Sequence, residues 1–217
     1  MRGIVIDLDG TIIKSEIAIE KIFNKLLSKY NFLKLNPDWK DGISKGGIYL
    51  IKKAFGSSVK NKAKILKEFR EEYKKVKHTK SDLYCGVLKF LKFFKKNNIK
   101  VFLCTNKPSY LVRKILNDLK INSFFCKIWC RDQLSLKKPS LKLANYIKNY
   151  FKGLNIEKYM IIGDSEVDIK LSNFFGKDCV LWVFKNGYLI NDKRIDNYHL
   201  FTYSDFNFRK IKLIINE

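Results

Sequence analysis

The chain has 217 residues, of which 46% are hydrophobic, and 44 Lys and Arg residues against 21 Asp and Glu give a formal net charge of +23. This length suits one domain with an insertion, or a large and a small domain, and the apolar content is enough for a buried core. No apolar run approaches the length of a membrane-spanning helix, and the first strand pattern begins too early to leave room for a signal peptide. We therefore expect a soluble, globular, cytoplasmic protein with no membrane partner.

The large positive charge could indicate a nucleic-acid or anionic-membrane partner. The lysines are, however, spread along the whole chain and form no arm, tail or Arg-rich tract. We therefore interpret the charge as a solvated basic surface, with no dedicated nucleic-acid partner, that still attracts small anions. The five cysteines are odd in number and scattered through apolar surroundings, which favours reduced thiols over a disulfide framework.

A strand buried on both faces is predicted at the N-terminus, where residues 4–6 are apolar and β-branched. Asp7 and Asp9 follow it directly. Ligands gather beyond the carboxyl ends of parallel strands, so a site is expected here. Asp-x-Asp can hold Mg²⁺ through one carboxylate and a neighbouring carbonyl oxygen. Taken alone, the pair could also be an acidic turn without a function.

Residues 14–82 follow as a helical segment, because apolar residues recur in them at three- and four-residue spacings without a strand pattern. A flexible basic loop, Ser44-Lys45-Gly46-Gly47, lies between two of the predicted helices. We interpret the segment as a small helical unit inserted behind the first strand.

From residue 83 onward, strand patterns alternate with helix patterns. The predicted strands are residues 99–104, 124–129, 159–162, 179–184 and 198–201, and a last helix or strand is predicted over residues 211–215. Such alternation predicts an α/β fold, a doubly wound parallel sheet of Rossmann-like type with helices on both faces. The predicted division is an α/β core of residues 1–13 and 83–217 and a helical unit of residues 14–82.

Polar residues suited to one reaction lie at the ends of three predicted strands and at the start of one helix. They are Asp7 and Asp9, Thr105 and Asn106, Lys138, and Asp164 with Asp168. In a parallel sheet these ends lie side by side. The set supplies a nucleophilic carboxylate, a carboxylate that can carry a proton, donors for phosphoryl oxygens, a fixed ammonium and an acid for Mg²⁺. It predicts phosphoryl transfer through an aspartyl-phosphate.

Four segments, Asp-Leu-Asp-Gly-Thr, Thr-Asn-Lys-Pro, Lys-Lys-Pro and Gly-Asp-Ser-x-x-Asp, resemble the ordered motifs of the haloacid dehalogenase (HAD) superfamily. The resemblance covers essentially the whole chain and is greatest to the phosphoglycolate phosphatase group. That group has Thr-Asn-Lys-Pro at the second motif, Gly-Asp-Ser at the fourth, and a helical cap inserted after the first strand. Residues 14–82 would be the cap domain here.

The resemblance implies a role for each motif residue. Asp7 would be the nucleophile, Asp9 the general acid and then base, Thr105 and Asn106 phosphoryl binders, and Lys138 the charge that stabilises Asp7 and the phosphoryl group. Mg²⁺ would be held by Asp7, the Asp9 carbonyl and Asp164, with Asp168 in support. We also expect the loop of Ser44, Lys45, Gly46 and Gly47 to close over the site and select the substrate, with Lys45 pairing with a substrate carboxylate.

The implied activity is Mg²⁺-dependent hydrolysis of a small phosphorylated metabolite such as 2-phosphoglycolate, by a monomer or homodimer. A nucleotidase, a pyrophosphatase and a sugar-phosphate phosphatase are alternatives within the superfamily. Asp9 argues against a true dehalogenase, and Thr11 against the phosphoglucomutase branch. Asp164 and the large insertion reject a response-regulator receiver. A basic nucleic-acid-binding protein on a retired hydrolase fold is the alternative from another class, and the intact motifs argue against it.

Overall fold

A computed structural model describes residues 2–133, 136–188 and 198–203. The strands are β1 (Arg2–Ile6), β2 (Lys100–Thr105), β3 (Lys127–Cys130), β4 (Lys158–Gly163), β5 (Cys179–Phe184) and β6 (Tyr198–Phe201). The helices are α1 (Ser15–Tyr30), α2 (Gly47–Phe55), α3 (Lys62–Lys75), α4 (Val87–Lys96), α5 (Ser109–Leu119), α6 (Leu141–Lys152) and α7 (Glu166–Asn173). Within the described residues the strands form one sheet in the order β3-β2-β1-β4-β5-β6, and all neighbouring strands are parallel.

The sheet is buried on both faces, as the alternation of side chains along β1 shows. Ile4 and Ile6 belong to one hydrophobic cluster together with residues of α4 and α5. Val5 points the other way, into a second cluster formed with residues of α6 and α7. Helices therefore cover both faces of a parallel sheet, and the predicted doubly wound α/β fold class is confirmed.

The helices between β1 and α4 pack around the ring of Phe23 on α1. Its centroid lies 5.4 Å from that of Trp39, 5.1 Å from that of Phe55 and 5.2 Å from that of Phe69. Trp39 belongs to a 3-10 helix, Pro37–Gly42, which precedes α2. Aromatic contacts at these distances give the inserted helices an apolar centre of their own.

The two connections between these helices and the sheet lie beside each other. Ile13 forms an isolated antiparallel bridge with Leu83, and the Lys14 N–H donates to the Asp82 carbonyl at 2.8 Å. The division into a cap of residues 14–82 and a core of residues 1–13 and 83–217 stays a prediction. The neighbouring connections are consistent with it. We use "cap" below for α1 to α3 and their connections.

One predicted strand begins later in the structure than in the prediction, and one predicted element lies outside the described residues. Residues 124–126 precede β3, which begins at Lys127, and Asn122–Phe124 form a 3-10 helix. The predicted element over residues 211–215 lies outside the described residues. In the part of the chain that the structure describes, no helix has the length and apolar character needed to cross a membrane.

Candidate active site

The predicted site residues meet at the carboxyl edge of the sheet because β1 lies between β2 and β4. Ile6 is in register with Leu103 on one side and with Ile162 on the other. The Asp7 N–H continues this pairing and donates to the Ile162 carbonyl at 2.9 Å. The ends of three strands thus bring together residues that lie more than 90 positions apart in the chain, such as Asp7 and Thr105.

Lys138 is the cation at the centre of this edge. Its Nζ lies 2.7 Å from Asp7 Oδ1 and 2.7 Å from Asp168 Oδ1, and all three side chains are buried. Burial opposes the charge on Lys138, but Asp168 and Asp7 together raise the pKa of its ammonium above the ordinary value. The backbone is held as well, since the Lys138 N–H donates to Asn106 Oδ1 at 2.8 Å.

Asp7, Asp164 and Asp168 form a buried acidic cluster, each with a carboxylate oxygen within 4.8 Å of the others. Burial raises the pKa of Asp7 to about 7, against the opposing effect of Lys138. Burial and then the charges of Asp7 and Asp168 raise the pKa of Asp164 well above the usual range. Three buried acidic side chains thus lie close together, and the Lys138 ammonium contacts only Asp7 and Asp168. Hard oxygen donors with uncompensated negative charge fit Mg²⁺.

The oxygens of Asp168 are already engaged. Oδ1 accepts from Lys138, and Oδ2 accepts from the Ser165 N–H at 3.2 Å and the Ser165 hydroxyl at 2.6 Å. Ser165 and Asp168 form the capping box at the start of α7. This geometry suits the predicted supporting role of Asp168 better than direct contact with a metal ion.

Asp164 is held from two sides. Thr11 donates its hydroxyl to Asp164 Oδ1 at 3.1 Å, and the Tyr188 N–H donates to Oδ2 at 2.6 Å. The Tyr188 hydroxyl in turn donates to Glu16 Oε2 at 2.7 Å and accepts from the Glu16 N–H at 3.1 Å. One tyrosine therefore connects the predicted metal ligand to the first turn of cap helix α1.

Asp9 does not contact Lys138 but forms its own buried ion pair. Lys107 Nζ lies 2.7 Å from Asp9 Oδ1 and 4.6 Å from the ring centroid of Tyr73 on cap helix α3. Burial lowers the pKa of Lys107, but Asp9 and Tyr73 more than offset this effect, and the pKa is raised above the ordinary value. The predicted general acid and base thus touches the cap through one lysine.

Thr105 and Asn106 follow the end of β2 next to Lys107. They differ in which side-chain atoms remain to bind a phosphoryl group. The Thr105 Oγ1 accepts from the Lys107 N–H at 3.2 Å, which leaves its own hydroxyl proton for a phosphoryl oxygen. The Asn106 amide donates to the carbonyls of Ser44 at 2.7 Å and Lys138 at 2.9 Å. Since the side chain of Asn106 is fully engaged, its predicted binding of a phosphoryl group would have to use the backbone N–H.

The predicted specificity loop lies against the core at three points. Asn106 holds the Ser44 carbonyl, and Lys45 Nζ lies 3.6 Å from Glu166 Oε2. A Cβ on Gly46 would come within 2.3 Å of the Arg131 guanidinium. Gly46 also has φ 101° and ψ 163°, a conformation that glycine alone adopts readily. Its role in choosing the substrate stays a prediction, while the contacts explain why a glycine stands at this position.

A cavity of about 50 Å³ lies between the cap and the sheet edge. Asp9, Asn106 and Lys107 line it from the core, and cap residues that include Gly46, Gly47, Arg70 and Tyr73 line it from the other side. The cavity places the predicted acid and base next to a space that is lined by both parts of the chain.

Sequence reasoning missed several residues of this site: Arg70, Tyr73, Lys107, Arg131 and Tyr188. Lys107 lies inside Thr-Asn-Lys-Pro, so the motif itself contained the signal. Tyr73 is buried with Leu66 and Phe69 on one side of α3, so its spacing indicates a core residue. Nothing in the local sequence of Arg70 or Arg131 distinguishes either from the many other basic residues.

Residues 4–181 match the family model of haloacid dehalogenase-like hydrolases. The chain belongs to this family. The match includes every motif residue placed above at the sheet edge, from Asp7 to Asp168. The superfamily resemblance seen in the sequence is thereby confirmed.

Curated relatives of this HAD-like hydrolase include phosphoglycolate phosphatases. That of Aquifex aeolicus is 29% identical over 229 residues, covering 100% of this chain and 98% of the relative. Phosphoglycolate phosphatase 1 of Pseudomonas aeruginosa is 25% identical over 189 residues, covering 82% of this chain and 68% of the relative.

Solved structures support the fold of the hydrolase. A crystal structure of a predicted phosphoglycolate phosphatase from Haemophilus somnus has a TM-score of 0.81 at 21% identity, covering 99% of this chain and 97% of the other. The β-phosphoglucomutase of Clostridium difficile has a TM-score of 0.75 at 18% identity, covering 99% and 96%. Because proteins with different names share it, the fold alone does not choose the reaction.

Proposed function

We propose that this HAD-like hydrolase is a Mg²⁺-dependent phosphatase that acts on small anionic phosphate monoesters, such as 2-phosphoglycolate, through an aspartyl-phosphate on Asp7. The supporting observation is the buried contact of Asp7 with Lys138, 2.7 Å apart, inside a cluster with Asp164 and Asp168. The names of the curated relatives support the same class of substrate.

In the first half-reaction, a carboxylate oxygen of Asp7 attacks the phosphorus atom. A new P–O bond to Asp7 forms, and the P–O bond to the leaving alcohol breaks. Lys138 neutralises the charge of Asp7 and of the phosphoryl oxygens, and the Thr105 hydroxyl donates to one of those oxygens. Asp9, in its protonated form, gives its proton to the leaving oxygen, which departs as a neutral alcohol.

In the second half-reaction, water attacks the phosphorus of the aspartyl-phosphate. Asp9, now a carboxylate, removes a proton from that water. The P–O bond to Asp7 breaks, Asp7 returns as a carboxylate, and inorganic phosphate leaves. The neighbouring position of Asp9, two residues after the nucleophile at the same strand end, supports its use in both steps.

Asp7, the Asp9 carbonyl and Asp164 would hold Mg²⁺, which supplies positive charge to the phosphoryl group when bound. Asp168 keeps its oxygens on Lys138 and Ser165 and so orients the ammonium. Thr11 and the Tyr188 N–H fix the direction of the Asp164 carboxylate before metal binds.

A screen of phosphate monoesters with Mg²⁺ tests this function. We expect release of inorganic phosphate that EDTA abolishes and that Asp7→Asn lowers by at least about a thousandfold, since the nucleophile is lost. Activity that survives in EDTA or in Asp7→Asn would contradict the proposal.

A further inference from the structure

Arg70 is a basic residue on the inner side of cap helix α3. It lies four residues after Leu66 and three before Tyr73, so the three side chains share one face of the helix. Leu66 and Tyr73 are buried, whereas Arg70 is half-buried. Together with Asp9 and Lys107, Arg70 lines the cavity of about 50 Å³ between the cap and the sheet edge.

Two other cations near this cavity already contact carboxylates, and Arg131, which lies beside Gly46, does not line it. Lys107 pairs with Asp9 at 2.7 Å. Lys45 contacts Glu166 at 3.6 Å, outside the cavity. Among the described residues, Arg70 has no carboxylate within 4.0 Å, although it faces the same cavity. Its positive charge is therefore available to an anion that enters.

Arg70 also reaches the outer surface of the cap. It borders a groove of about 290 Å³ together with Ile48 on α2 and Tyr110 on α5. The same side chain thus contributes to the inner cavity and to a groove open to solvent.

We propose that Arg70 binds the anionic group of the leaving alcohol, most simply a carboxylate, and so determines specificity; this role rests on the phosphatase activity proposed above. A planar guanidinium can hold a carboxylate through two parallel N–H···O bonds. A cavity of 50 Å³ holds about three to five water-sized groups. The substrate class is therefore a phosphate monoester whose alcohol is a short carboxylic acid of about two or three carbons.

The test compares Arg70→Gln, which removes the charge but keeps much of the length, with the wild type and with Arg70→Lys. The kcat/KM for 2-phosphoglycolate and for p-nitrophenyl phosphate is measured with Mg²⁺. We expect Arg70→Gln to lose about tenfold to a hundredfold on 2-phosphoglycolate, mainly through KM, with little loss on p-nitrophenyl phosphate. Arg70→Lys should recover part of the loss. Inhibition by glycolate should weaken in Arg70→Gln, while inhibition by inorganic phosphate stays unchanged.

Two further variants make the result specific. Lys64→Gln removes one positive charge from the exposed side of α3 and should change neither substrate. Lys45→Ala tests the rival residue of the specificity loop.

Three results would overturn the role of Arg70: equal losses on both esters, a selective loss in Lys45→Ala but not in Arg70→Gln, or no wild-type preference for the carboxylated ester. A wild-type protein that hydrolyses p-nitrophenyl phosphate without that preference would leave the proposed phosphatase activity intact. Absence of activity on every ester would overturn both proposals.

Discussion

Lys107 and Asp9 form a buried ion pair, 2.7 Å from Nζ to Oδ1, under the ring of Tyr73. Lys107 and Asp9 follow different strands of the core, whereas Tyr73 belongs to the cap. The contact therefore joins the predicted acid and base to the part of the chain that covers it. Opening of the cap would expose the pair to water, and closure would bury it again.

Removing Lys107 from this pair should destabilise the folded protein. Lys107→Met leaves Asp9 buried without its cation, so we expect a loss of about 3 to 5 kcal/mol in the free energy of unfolding. We also expect a lower kcat, because Asp9 loses the contact that orients it. Lys114→Met is the control, since Lys114 pairs with Asp118 at a more exposed position and should cost about 1 kcal/mol or less. Urea unfolding measures the free energy of unfolding of both variants. Equally small losses in the two would contradict a stabilising role of the buried Lys107–Asp9 pair.

Gly46 of the specificity loop and Gly56, which follows α2, have nearly the same backbone conformation and can therefore be compared. Gly46 has φ 101° and ψ 163°, and Gly56 has φ 94° and ψ 158°. Alanine at either position should cost about 1 to 3 kcal/mol in backbone strain. A Cβ at Gly46 also meets Arg131, whereas a Cβ at Gly56 meets nothing within 4 Å.

We therefore expect Gly46→Ala to raise KM for the substrate as well as to lower stability, and Gly56→Ala to lower stability alone. Steady-state kinetics and urea unfolding on both variants check this. A similar KM in the two variants would show that the loop's position over the cavity does not affect substrate binding.

The order of apolar runs and strand-end motifs made the sheet, its parallel strands and the meeting of Asp7, Thr105, Lys138 and Asp164 predictable. Parallel strands end at the same edge, so sequence order was enough to bring these residues together. The contacts between individual side chains of the site could not be predicted in the same way. Lys107 pairs with Asp9 because the ends of two core strands meet, whereas Arg70 lines the cavity because of how α3 docks on the core. Such docking depends on side-chain packing between distant segments, which no local pattern records.

The metal-free protein should lose stability as the pH rises, through Asp7. Burial raises the pKa of Asp7 from 3.8 to about 7. Its folded form thus holds the proton more tightly than its unfolded form. The stability this gives is present below pH 3.8 and is lost as the pH rises through about 7.

Asn at position 7 does not titrate. In EDTA, the unfolding free energy of Asp7→Asn should therefore increase relative to the wild type between pH 3.8 and about 7. Urea unfolding across this range measures the difference. A difference independent of pH would contradict the raised pKa of Asp7.

Mg²⁺ should stabilise the protein if the acidic cluster binds it. At a concentration one hundred times Kd the gain is about 2.7 kcal/mol. That corresponds to an increase in Tm of roughly 5 to 11 °C for a chain of this size. Asp164→Asn should abolish the increase, while Asp38→Asn, at an exposed position, should keep it. An equal increase in both variants, seen by differential scanning calorimetry, would place the metal elsewhere.

The measurement that tests the central claim most directly is the mass of the protein after brief reaction with a phosphate monoester in the presence of Mg²⁺. Asp9→Asn should slow attack by water on the intermediate, since it removes the base, by roughly a hundred- to ten-thousandfold. With a good leaving group such as p-nitrophenol, we predict that this variant gains the mass of one phosphoryl group, and that peptide mapping assigns it to Asp7. Asp7→Asn should gain none. Phosphorylation that persists in Asp7→Asn, or that maps to another residue, would contradict the account.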